Sequence, residues 1–124
     1  MTQEDKELLL KDLSARLPYG IKVKTKYYDG VLELISIDVN GNIYVVRDKE
    51  YPIEAYVEDT KPYLFPMSSM TEEQKDEFDS LYTYDALIIE PQIKLINWCY
   101  ENHFDINGLI PKGLALDATG LNIY

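Results

Sequence analysis

The chain has a single cysteine, Cys99, a single histidine, His103, and no apolar run near the roughly 20 residues a membrane-spanning helix needs. One thiol forms no internal disulfide, so nothing pulls the protein toward an oxidising compartment. A structural zinc site would have to recruit two carboxylates to complete four ligands, an unusual set, so no metal is expected. Basic residues are also scarce, 12 against 22 acids, for a formal net charge of -10. From Asp48 to Glu90 the count is twelve acids to three bases, so nearly all the excess lies in the middle third. Such a surface repels phosphate backbones, which disfavours direct binding of DNA or RNA. It permits attraction to a basic surface on another protein, with mimicry of nucleic acid as the extreme form.

What is present is ordinary for a globular protein: 46% hydrophobic and 27% charged residues in 124. That length suits one domain over residues 1–124 and leaves little room for a second. The opening "MTQEDKELLL" is acidic where a secretory signal would be basic, and a cytoplasmic location is expected.

The hydropathy pattern predicts an α+β fold: a curled antiparallel sheet of three to five strands, built on a meander, with three helices. Thr2 as N-cap and Leu9, Leu10, Leu13 and Leu17 at helical spacing predict a first helix over Thr2–Arg16, stopped by Pro18 and Gly20. Alternation from Ile21 to Tyr28, the run "VLELISI" and Ile43 to Arg47 predict the meander. Asp29-Gly30 suits its first turn and would set Lys26 beside Glu33; Asn40-Gly41 or Gly41-Asn42 suits the second. Ile53 to Val57 reads as a fourth strand, and Lys61 to Met67, between Pro62 and Pro66, as an extended connection. Ser69 or Thr71, the latter with Gln74 three residues on as in a capping box, caps an acidic surface helix running to about Tyr82. A third helix, from Leu87 or Pro91 to Asn102, carries Ile93, Ile96 and Tyr100 on one stripe and should be the most buried of the three.

Catalytic chemistry finds little support. Cys99 and His103 stand one helical turn apart and could meet, yet Cys99 lies on the apolar stripe, where burial raises a thiol pKa. They read as a core cysteine and a histidine near the helix C-terminus. "DVNGN", Asp38 to Asn42, lacks the acid spacing of a calcium loop and reads as a hairpin turn. No phosphate-cradling glycine loop occurs, and neither an enzyme nor a cofactor is expected.

Recognition remains. Eleven tyrosines and one tryptophan supply rigid contact area with polar tips. "KPYLFPMSSM" beside the acidic helix is the most suggestive patch, with Lys61, Tyr63, Leu64, Phe65, Glu72, Glu73 and Asp76 as candidate binding residues; Leu64 and Phe65 could equally plug one end of the sheet. Lys22, Lys24 and Lys26 share one strand face. They could form a basic ligand stripe, or guard a sheet edge and cover Ile35 and Ile37 with their stems.

The segments "LPYGIKVK", "KPYLFPMSSMTEEQ" and "NHFDINGLIPKGLALDATGLNIY" resemble parts of a group of uncharacterised proteins from Bacteroides-type gut bacteria, their prophages and phages. The group has no assigned reaction, so the resemblance implies no catalytic residues. It does imply an accessory or anti-defence role against a host protein. The expectation is a non-enzymatic acidic interaction module; the alternative is a binder of an anionic metabolite or nucleotide.

Overall fold

Thr2 Oγ1 accepts the Asp5 amide at 3.0 Å, and this N-cap starts helix α1 at Gln3–Arg16. The computed structural model describes residues 1–46, 51–82 and 89–124. After α1 come strands β1 (Lys22–Thr25), β2 (Tyr28–Ile37), β3 (Ile43–Val46), β4 (Ile53–Ala55) and β5 (Thr60–Leu64). Helices α2 (Glu72–Tyr82) and α3 (Ile89–Glu101) and the short strand β6 (Leu116–Asp117) complete the order. The fold is α+β, as expected, but the sheet has six strands instead of three to five and is mixed instead of antiparallel, in the order β4-β3-β2-β1-β5-β6. All pairings are antiparallel except β5 with β6, which is parallel. Among the described residues no helix is long and apolar enough to cross a membrane. Arg47, the predicted end of the third strand, and Leu87, one predicted start of α3, lie outside the described residues.

The meander forms, but its turns differ from the expected ones. Thr25 pairs with Tyr28, so Lys26 and Tyr27 make the first turn, and Lys22 rather than Lys26 faces Glu33. Asp29-Gly30 lies inside β2, where the register shifts between Val23 and Thr25 and Gly30 takes φ +87°. The glycine's left-handed freedom serves a bulge instead of a hairpin tip. The second turn is a three-residue loop, Val39-Asn40-Gly41, closed by the Asp38 amide donating to the Asn42 carbonyl at 2.9 Å. Asp38 Oδ1 accepts the Asn40 and Asn42 amides, and Oδ2 accepts the Asn42 side chain and Tyr44 hydroxyl. That carboxylate serves its own hairpin, as the turn reading of "DVNGN" requires.

The predicted extended connection after Lys61 is a full strand, β5, set between β1 and β6. Pro62 survives there because of which way it faces. Leu64 points its carbonyl to the β6 side, accepting the Ala118 amide at 2.8 Å, and Pro62, two residues earlier, turns the same way. Its missing N–H is therefore not one that the β1 ladder uses. Val57, the predicted end of the fourth strand, instead starts a 3-10 turn, Val57–Asp59.

One apolar cluster joins Leu9 and Leu13 of α1 to Ile21, Val23, Leu32, Leu34, Ile43 and Val45 of the sheet, with Leu64 and Leu109. It is α1, not α3, that covers this core. Ile93 and Ile96 of α3 are 52% and 41% exposed, which overturns the expectation of a buried third helix. Its C-terminal end is held down by Cys99 and by the Trp98 ring stacked on Phe104 at 5.5 Å. In contrast, α1 buries two charges. Arg16 Nε donates to Asp12 Oδ1 at 2.7 Å and Nη2 to the Phe104 carbonyl at 2.7 Å, with both side chains fully enclosed. Asn107 adds a 2.7 Å bond to Asp12, so the pair clamps α1 to the C-terminal segment.

Candidate functional site

The sheet order places β1 in the interior, between β2 and β5. Its lysines therefore guard no edge, and one of the two explanations for them falls. Strand alternation buries Val23 and Thr25 on the core face and leaves Lys24 on the outer face. On β5 the same alternation buries Thr60 and Pro62 and exposes Lys61. The β1–β5 register makes Lys24 and Lys61 direct partners. Like charges in that position repel and destabilise a strand pair. Lys22, two residues away, is compensated by its partner Glu33, whereas Lys24 lies opposite the β2 bulge.

A groove of about 370 Å³ opens over this pair, lined by Lys24, Thr25, Lys26 and Lys61, with Glu58, Asp59 and Leu116 on its remaining walls. Lys26 comes from the β1–β2 turn, where its amide donates to the Asp59 carbonyl at 2.9 Å and ties the turn to β5. Glu58 is drawn off by Lys6 at 3.8 Å. Among the described residues Lys24, Lys26 and Lys61 enter no ion pair. Thr25 is only 3% exposed, and its hydroxyl finds no hydrogen-bond partner in the protein. A second hollow of about 260 Å³ shares Thr25 and Asp59 with the groove; Tyr27, Tyr28 and Tyr56 line it, with Glu54 and Ala55. Three ammonium groups around one concavity form a surface for an anion.

The predicted binding residues do not assemble into one patch. Lys61 belongs to the groove. Tyr63 is half-buried, its carbonyl accepting the Tyr124 hydroxyl at 2.8 Å. Leu64 is fully buried in the core, so it presents nothing to a partner. Phe65 is also half-buried: it bridges to Phe104 through the backbone, and its ring lies 6.2 Å from that of Phe104 and 5.8 Å from that of Tyr124. Glu72, Glu73 and Asp76 are exposed on the first turns of α2, where the Thr71–Gln74 capping box forms in both directions at 2.9 and 3.1 Å. Thr25, Glu58, Asp59 and Leu116 were not singled out in the sequence. Thr25 lies within the lysine stripe, whereas Glu58, Asp59 and Leu116 reach the groove only through the pairing of β5 with β1 and β6.

Cys99 and His103 stand in separate surroundings. Burial pushes the Cys99 thiol up to about 11, against a smaller opposing pull from the Arg16 charge. His103 takes the left-handed position just past α3, φ 63°, with its amide bonded to the Tyr100 carbonyl and the Phe104 amide to the Cys99 carbonyl. This double bond is the Schellman termination that usually employs glycine. The imidazole stacks on Tyr124 at 3.7 Å, and burial, with the Arg16 and Lys22 charges, lowers its pKa to about 4. A protonated thiol and a neutral, stacked imidazole do not form an activated pair. Among the described residues no three metal-ligating side chains cluster.

Comparison of the chain with protein-family models, curated proteins and solved structures returns no match. The geometry of the groove therefore carries the functional reading.

Proposed function

We propose that the protein is a non-catalytic binding protein and that the β1–β5 groove receives the anionic group of its ligand. The observation that carries this reading is the opposition of Lys24 and Lys61 on inner strands, with Lys26 at the rim, in a chain of net charge -10. The direct opposition of Lys24 and Lys61 raises the energy of the empty fold, and a bound anion relieves that cost. Titration calorimetry with inorganic triphosphate tests it: saturable binding that is lost in the Lys24→Ala/Lys61→Ala double variant is expected. Absence of heat at millimolar triphosphate would sink the reading.

A second reading is favoured by α2 and α3. Glu72, Glu73 and Asp76 stand exposed on α2, and α3, packed against it, exposes Ile93 and Ile96. Exposed apolar residues on α3 and exposed carboxylates on the neighbouring α2 suit a basic partner protein, read here as a host factor on which the protein acts in an accessory role. Capture of a basic host protein that weakens steeply with salt, and is lost in Ile93→Glu/Ile96→Glu, supports this reading; salt-independent capture argues against it.

A further inference from the structure

We infer that the groove and the tyrosine hollow beside it form one site for a mononucleotide, an inference that rests on the anion-binding reading above. The two concavities meet at Thr25 and Asp59, which line both. One half offers three ammonium groups beside Glu58; the other offers aromatic faces and Glu54, with Asp59 common to both. A ligand that spans them needs a polyanion at one end and a flat ring with N–H or O–H donors at the other, and a nucleoside phosphate has both.

The tyrosines are placed for this and are hard to account for otherwise. Tyr27 and Tyr56 are 72% and 57% exposed, so they contribute little to the core. Tyr27 sits in the two-residue turn next to Lys26, whose Nζ lies 5.5 Å from the Tyr27 ring centroid. The cationic and aromatic elements therefore join at the hairpin tip. Glu54, which lines only the tyrosine half, repels a phosphate there, while Asp59 is shared by both halves; this sets the ligand's polarity: phosphates toward Lys24 and Lys61, ring toward Tyr56. The same carboxylates accept hydrogen bonds from a base amino group or the ribose hydroxyls. The net charge of -10 argues against a long nucleic-acid strand, whose further phosphates would run over acidic surface.

The test compares inorganic triphosphate, ATP, GTP and a ten-residue single-stranded oligonucleotide by titration calorimetry on the full chain. At least one nucleoside triphosphate is expected to bind about tenfold tighter than inorganic triphosphate, the gain a stacked base supplies. Tyr56→Ala, at an exposed position, should bring the nucleoside triphosphate down to the affinity of inorganic triphosphate, and Tyr27→Ala serves as a second variant. If triphosphate binds but neither nucleotide binds more tightly, the mononucleotide inference fails and the anion groove stands. If nothing binds, both fail. An oligonucleotide that binds more tightly than either mononucleotide would overturn the inference in favour of strand binding.

Discussion

Lys24 of β1 and Lys61 of β5 face each other directly across an antiparallel pair, although Lys22, on the same strand, faces Glu33. The contrast makes the two roles separable. Replacing Lys24 or Lys61 by Gln removes a like-charge pair, so stability should hold or rise by up to about 1 kcal/mol. Affinity for inorganic triphosphate should fall in the same variants. Urea denaturation and calorimetry on the same samples check both, and a variant that loses stability together with binding would assign the lysines to the fold.

The Asp12–Arg16 pair behaves in the opposite way. Both side chains are fully enclosed, so removing one leaves a buried charge without its partner. Asp12→Ala should cost about 3–5 kcal/mol, read as a lowered urea midpoint. The double variant Asp12→Leu/Arg16→Met should recover much of that loss. Equal instability of the single and double variants would contradict it.

His103 sets a pH dependence of known sign. Burial first, then the Arg16 and Lys22 charges, lower its folded pKa to about 4, below the ordinary value of 6.5. Between these two values the unfolded chain binds the proton and the folded chain does not. The histidine's contribution is therefore intact above pH 6.5 and is lost as the pH falls toward 4. Thermal midpoints across this window should decline in the wild type and flatten in His103→Asn, a residue that also tolerates the left-handed backbone. An unchanged slope would contradict the assignment.

Cys99 should be inert in the folded protein. Its side chain is fully buried and its thiol is pushed up to about 11, so reaction with a maleimide at pH 7 should follow the opening of the protein. Labelling should accelerate with urea through the unfolding transition. Stoichiometric modification within minutes under native conditions would contradict this and reopen the cysteine as a reactive group.

The features read correctly from the sequence are those whose causes are local. The Thr2 cap and the Thr71–Gln74 box depend on contacts three residues apart, and both form as expected. The helix stripe Ile93, Ile96 and Tyr100 has a periodicity that records a common face but not what lies against it; α1 takes the sheet and leaves the first two exposed. Asp29-Gly30 has the chemistry of a turn, and a bulge needs the same positive φ, so the residue pair does not distinguish them. Lys24 and Lys61 become neighbours only because β5 returns to pair with β1 after the whole meander, a tertiary event with no local signature. The burial of Arg16 was hidden for the same reason, since its acceptor is the distant Phe104 carbonyl.

Amide chemical-shift mapping of the 15N-labelled protein during titration with inorganic triphosphate tests the central claim most directly. The account predicts progressive, saturable shifts at Lys24, Thr25, Lys26 and Lys61, with the surface lysines Lys11 and Lys112 unmoved. Shifts spread evenly over the exposed lysines, or none along β1 and β5, would contradict it.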